Sequence, residues 1–151
     1  MPRRHWLERD IVGALIGVAL LSGCSQAAPA SDAGAANVSA GAPSVDAAMA
    51  TCSDLGGENA ARIAACTAVI QASAAPPETR ARALNNRGVL ISSQGDLDRA
   101  IADYDAAIQI DPNYAAAFYN RAKAWPQKGD GAHADADSAE AVRLDPGLAG
   151  R

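Results

Sequence analysis

Few residues in this chain can carry chemistry. Its 151 residues hold three cysteines, Cys24, Cys52 and Cys66, and two histidines, His5 and His133. A thiol can be acylated, can close a disulfide or, as thiolate, can bind metal. Cys52 and Cys66 have no nearby histidine to complete a zinc site, and they lack the close Cys-x-x-Cys spacing that suits a redox-active pair. His133 and Asp137 are four residues apart and can share a helix face, but two ligands fall short of a catalytic metal site. Asp135, Asp137 and Glu140 read as a solvated acidic face, because an acid/base pair needs burial to separate its pKa values. No glycine-rich phosphate loop follows a strand pattern, and no strand pattern is evident. The expectation is a non-enzyme with no cofactor and no metal.

Charge and composition narrow the partners. Thirteen basic residues stand against 17 acidic ones, a formal net charge of −4, which argues against a nucleic-acid binder. Without the first 23 residues the balance is more acidic still, ten basic against fifteen acidic. Apolar residues make up 49% of the chain, yet only one Phe, two Trp and three Tyr are aromatic, so any core is built mostly from Ala, Leu, Ile and Val. The length allows one small folded unit.

The elements that position these residues begin with an address. Residues 1–10 are polar and include three arginines, and Ile11–Leu21 is an unbroken apolar or glycine run of eleven. That run is shorter than the roughly 17 to 20 residues that cross a hydrocarbon core, so 1–23 reads as a secretory signal that is removed. The Leu21-Ser22-Gly23-Cys24 motif resembles the lipobox of bacterial lipoproteins. The resemblance implies that the Cys24 thiol is diacylated and becomes the new N-terminus. Acyl chains contribute ~0.8 kcal/mol per buried methylene, which anchors a protein without any inserted helix. The implied location is the bacterial cell envelope, facing the periplasm, and Ser25 slightly favours the outer membrane over the inner. Residues 24–48 are Ala, Gly, Ser and Pro with little else, a disordered tether reaching on the order of 25 to 30 Å.

Beyond the tether the chain repeats at a shift of thirty-four residues. Leu84 aligns with Phe118, Asn86-Arg87-Gly88 with Asn120-Arg121-Ala122, Gly95-Asp96 with Gly129-Asp130, Ala100 with Ala134, and Ile110-Asp111-Pro112 with Leu144-Asp145-Pro146. Leu84, Gly88 and Ile91 recur at helical spacing, and Gly88 admits a neighbouring helix opposite Ala100. Gly95 can end a helix in the left-handed region while Asp96 caps the next. Asp111-Pro112 is expected to stop the second helix and open the following one, with Asp98, Asp103 and Asp105 turned mostly to water. Arg87 and Arg121 are expected to pair with Asp103 and Asp137 inside their hairpins. The period and landmarks resemble the tetratricopeptide repeat family. The fold expected is all-α, a short solenoid of about three helical hairpins, with two repeats over 80–151.

A degraded earlier copy occupies 49–79, where Ala61–Gln71 parallels Arg99–Gln109 at a shift of thirty-eight. Its first helix should run from about Asp46 to Leu55, ending at Gly56-Gly57. Cys52 and Cys66 then lie on opposite arms of one hairpin, and in an oxidising compartment a disulfide is the simplest state of such a pair, with the antiparallel register slipped by about a turn. Pro126 lies inside the helix expected over Ala115–Lys128, which must kink or end there. Ser138 replaces Tyr104 in the last unit, and no amphipathic helix follows Pro146. This uncapped end suits association with a second copy or a partner.

Resemblance to tetratricopeptide repeats implies a right-handed stack whose first helices line a groove for a segment of another protein. The groove positions would be Arg82, Asn85, Asn86, Val89 and Ser93, then Tyr119, Asn120, Lys123 and Gln127. Asparagine amides can pair with a peptide backbone, and Arg82 and Lys123 can attract a carboxylate. The function expected is a membrane-anchored scaffold for a protein partner. The alternative is a structural lipoprotein that self-associates through its open end.

Overall fold

A computed structural model describes residues 43–150; the expected signal segment, Cys24 and the tether as far as residue 42 lie outside the described residues. The described part is helical throughout, with α1 over Val45–Ser53, α2 over Asn59–Gln71, α3 over Pro77–Ser93, α4 over Leu97–Ile110, α5 over Ala115–Ala124 and α6 over Gly131–Leu144. Consecutive helices pack as antiparallel hairpins, and the first helix of each hairpin also touches the first helix of the next, α1 on α3 and α3 on α5. None of these helices is long and apolar enough to cross a membrane.

Local signals explain most boundaries. Gly95 and Gly129 hold φ of 86° and 83°, in the left-handed region, after their hairpins' first arms. Asp96 then accepts from the Arg99 N–H, and Asp130 from the His133 N–H, each satisfying one orphan donor of the next helix. Gly88 lets α3 and α4 close: a Cβ built there would lie 2.6 Å from the Tyr104 ring and 3.1 Å from the Ala100 carbonyl oxygen. Tyr104 is among the largest fully buried side chains and fills the space that this glycine leaves.

Two boundaries differ from expectation, and a third, at Pro126, agrees with it. The tether ends earlier, because the Ser44 hydroxyl accepts from the Ala47 N–H and α1 starts at Val45, burying Ala48, Met49 and Cys52. Pro112 lies in the loop and not in a helical turn; the Asp111 carboxylate takes the Asn113 N–H in a tight Asx turn, and α5 begins only at Ala115. α5 ends at Ala124, and Trp125–Lys128 continues as a 3-10 turn, the geometry that Pro126 permits once the bond to the Ala122 carbonyl is lost.

The core runs through the stack in three clusters. Met49, Cys52, Cys66, Val69 and Leu90 join the first hairpin to α3. Ile91, Ala100, Ile101, Tyr104 and Ala124 join α3, α4 and α5, while Ala81, Leu84, Ala107 and Ala117 close the other end of that seam. Cys52 and Cys66 are disulfide-bonded with their Cα atoms 4.8 Å apart, which ties α1 to α2. The last hairpin is thin: α6 buries Ala134, Asp137 and Ala141, and Ser138 is exposed.

Candidate functional site

Two polar ladders cross the stack. In the first, Arg87 donates Nε and one terminal nitrogen to the two Asp103 oxygens at 2.8 and 2.7 Å, and Arg121 does the same to Asp137 at 2.8 and 2.6 Å. The remaining terminal nitrogen of each arginine reaches back to the preceding hairpin, to the Thr67 hydroxyl from Arg87 and to Asp105 from Arg121. Thr67 and Asp105 are thirty-eight residues apart, so the degenerate first hairpin supplies the same tie at the offset its alignment shows. The pairing expected for Arg87 and Arg121 is therefore present. Asp103 is a correction, since it is 7% exposed and does not face water. A bidentate guanidinium explains its burial.

The second ladder joins amides. Asn120 donates to the Asn85 oxygen at 2.8 Å, Asn85 donates to the Asn86 oxygen at 3.5 Å, and Asn86 donates to the Ser53 hydroxyl at 3.2 Å. The three asparagines expected to meet a peptide backbone thus bridge α5, α3 and α1. Asn85 is 5% exposed and belongs to the packing between hairpins, so its assignment as a groove contact is corrected. A helical wheel puts Asn85 beside Asn86 but does not show that α5 closes over it.

The groove positions that stay accessible differ in what they can do. Arg82, Val89, Ser93, Lys123 and Gln127 are exposed, and Asn86, Tyr119 and Asn120 are partly so. Ser93 donates its hydroxyl to the Leu90 carbonyl, and Gln127 donates its amide to the Lys123 carbonyl. Lys123 lies 5.1 Å from the centre of the Tyr119 ring, a cation–π arrangement that holds the ammonium on this face. A cleft of about 370 Å³ lies between α1, α3 and the loop before α5, lined in part by Ser53, Arg82, Asn86 and Val89. A neighbouring cleft of about 160 Å³ shares Val89 and adds Asn120, Lys123 and Gln127. The two clefts adjoin at Val89 and together make a trough along the face of first helices.

Sequence reasoning missed four residues of this trough, Ser53, Leu55, Arg62 and Tyr114. Leu55 had a signal, an isolated large apolar residue beside a double glycine. Arg62 and Tyr114 had none, because a second-helix arginine and a loop tyrosine are placed there by tertiary packing. His133 and Asp137, four residues apart, have separate partners. His133 Nδ1 lies 2.6 Å from Asp130, its ring stacks 4.9 Å from that of Trp125, and Asp137 is taken by Arg121 and by the Trp125 indole N–H at 2.9 Å. The His133 contacts hold the Asp130 carboxyl below its ordinary range, the backbone N–H of His133 contributing most.

Tyr104 gives the seam a pH dependence. Burial, reinforced by the Asp103 charge and opposed by a hydrogen bond with Ser92, pushes its hydroxyl up to about 12. The native state therefore favours the neutral phenol, so this contribution is intact below pH 10 and is lost as pH rises toward 12. A two-unit shift corresponds to about 2 to 3 kcal/mol. Urea midpoints taken at pH 9, 10.5 and 11.5 should fall with pH, and Tyr104→Phe should flatten that fall. An equally steep decline in the Phe variant would place the titration elsewhere.

The family model described as TPR repeat matches residues 92–129, from the end of α3 through the 3-10 turn after α5. Residues 92–129 thus match a tetratricopeptide repeat, and the stacked hairpins described above form a solenoid similar to those of that family. No curated protein matches it. Tetratricopeptide repeats are helical scaffolds that generally mediate protein–protein interaction.

Proposed function

We propose that this chain is a lipid-anchored scaffold of the bacterial cell envelope whose trough of first helices grips a segment of another protein. The single observation that carries the binding half is the trough itself. Arg82, Val89, Tyr119 and Lys123 remain accessible along it, while the asparagines between them are used to hold the hairpins in register. Cations and an apolar surface side by side suit an extended polypeptide better than a small molecule. The anchoring half rests on the sequence: acylation of Cys24 would hold the helical unit near a membrane facing the periplasm, with Ser25 favouring the outer one.

Two measurements test the halves separately. A photo-crosslinking residue at Tyr119 should trap one dominant heterologous partner, and charge reversal of both Arg82 and Lys123 should remove that adduct without changing the far-ultraviolet dichroism. An adduct that survives both reversals would put the partner elsewhere, and an adduct with a second copy of the chain would favour self-association through the open face of α6. Metabolic labelling with an alkyne fatty acid should mark the wild-type chain and not Cys24→Ala; equal labelling of both would end the lipoprotein reading.

A further inference from the structure

The cleft at the junction of the first two hairpins combines features that the rest of the described surface does not. The two large apolar side chains exposed among the described residues are Leu55, at 90%, and Val89, at 43%, and both line it. Arg62 and Arg82 line it as well. Among the described residues neither arginine has an ion-pair partner, nor does Arg80, whereas Arg87, Arg99, Arg121 and Arg143 all do. Asp54 lies beside the Arg62 stem and accepts the Gly56 N–H at 3.0 Å without pairing with the guanidinium. The Arg62 Nε is buried without a hydrogen-bond partner. An unpartnered guanidinium in a partly desolvated site favours an incoming anion.

We infer that this cleft takes an acidic, extended peptide segment of the partner, seating an apolar side chain on Leu55 and Val89 and a carboxylate between Arg62 and Arg82. The inference rests on the trough reading and specifies its occupant. Charge complementarity carries the choice, since Arg62 and Arg82 line one cleft and neither is held in an ion pair among the described residues. An anionic lipid surface fits less well, because a broad membrane face would bring the surrounding acids against the headgroups along with this one narrow cleft. Tyr114 at its wall can hydrogen-bond the segment's backbone. Neither Leu55 nor Arg62 belongs to a first helix. They reach the cleft because α1 stops at Ser53, leaving the turn before α2 beside α3.

The test uses the purified full-length chain, fluorescence anisotropy and three probes: an eight-residue peptide of alternating Asp and Leu, the same peptide with Asn for Asp, and phosphatidylglycerol vesicles. The acidic peptide should bind, with the Asn peptide weaker by about tenfold or more. Arg62→Gln and Arg82→Gln should each erase most of that difference, and Leu55→Ser should weaken both peptides. Arg82→Lys, which keeps the charge, should retain part of the preference. Equal affinity for the two peptides, an acidic preference untouched by both Gln variants, or vesicle binding without peptide binding would each overturn the inference. If the Tyr119 crosslink to a partner persists in any of these cases, the scaffold reading stands and only the acidic occupant is lost. If no peptide binds and no partner crosslinks, both fall.

Discussion

Replacing Asp137 with alanine is expected to lower the stability of the helical unit by about 3 kcal/mol, the lower end for removing one partner of a buried charge pair. Asp137 is 6% exposed and accepts three hydrogen bonds, two from Arg121 and one from the Trp125 indole. Its loss leaves Arg121 with Asp105 alone and the indole N–H without a partner. Because α6 buries so little else, the last hairpin has no apolar reserve to offset this. The melting midpoint followed by dichroism should fall by about 10 °C. The fluorescence of Trp125 should change with it. Asp137→Asn keeps the shape and some of the hydrogen bonds, so its effect should be smaller. A loss under about 1 kcal/mol for the alanine variant would mean that the ladder is surface decoration.

Removing the Cys52–Cys66 disulfide should have an effect of similar size concentrated at the opposite end. The closed loop spans fourteen residues of sequence separation, and a loop of this length contributes about 3 kcal/mol in the chain-entropy account. Both cysteines are fully buried among Met49, Val69 and Leu90, so the double Cys→Ser variant also places two hydroxyls in an apolar cluster. Nine residues form α1, too few to stay helical without tertiary support. Amide exchange should therefore accelerate across 45–53 while 97–124 keeps its protection. Peptide binding at the junction cleft should fall in parallel, because α1 positions Ser53 and Leu55. Unchanged protection of α1 would show that its packing alone holds it.

These two expectations differ in how visible they were beforehand. The Arg121–Asp137 pair was legible because it repeats Arg87–Asp103 at a constant offset, and a repeat read once predicts its copies. The disulfide was legible because the helix expected over about Asp46–Leu55 and the copy over Ala61–Gln71 put the two cysteines on opposite arms of one hairpin. Asn85 was misread because periodicity assigns a residue to a face, and two faces of α3 are covered, one by the first hairpin and one by α5. Asp103 looked solvated for a related reason: an acidic side chain is buried only where a fixed guanidinium meets it, and that meeting depends on two helices together.

By itself the sequence determined the helical hairpins, their turns at Gly95 and Gly129, their caps at Asp96 and Asp130, and the arginine ties that recur with the period. These are set by interactions within one repeat, where spacing along the chain translates directly into spacing in space. Only the tertiary structure decided that the asparagines would bind one another and that Leu55, Arg62 and Tyr114 would share a cleft with Val89. Such contacts join residues from different repeats. They depend on how far long side chains reach across a particular crossing of helices, which no local pattern encodes.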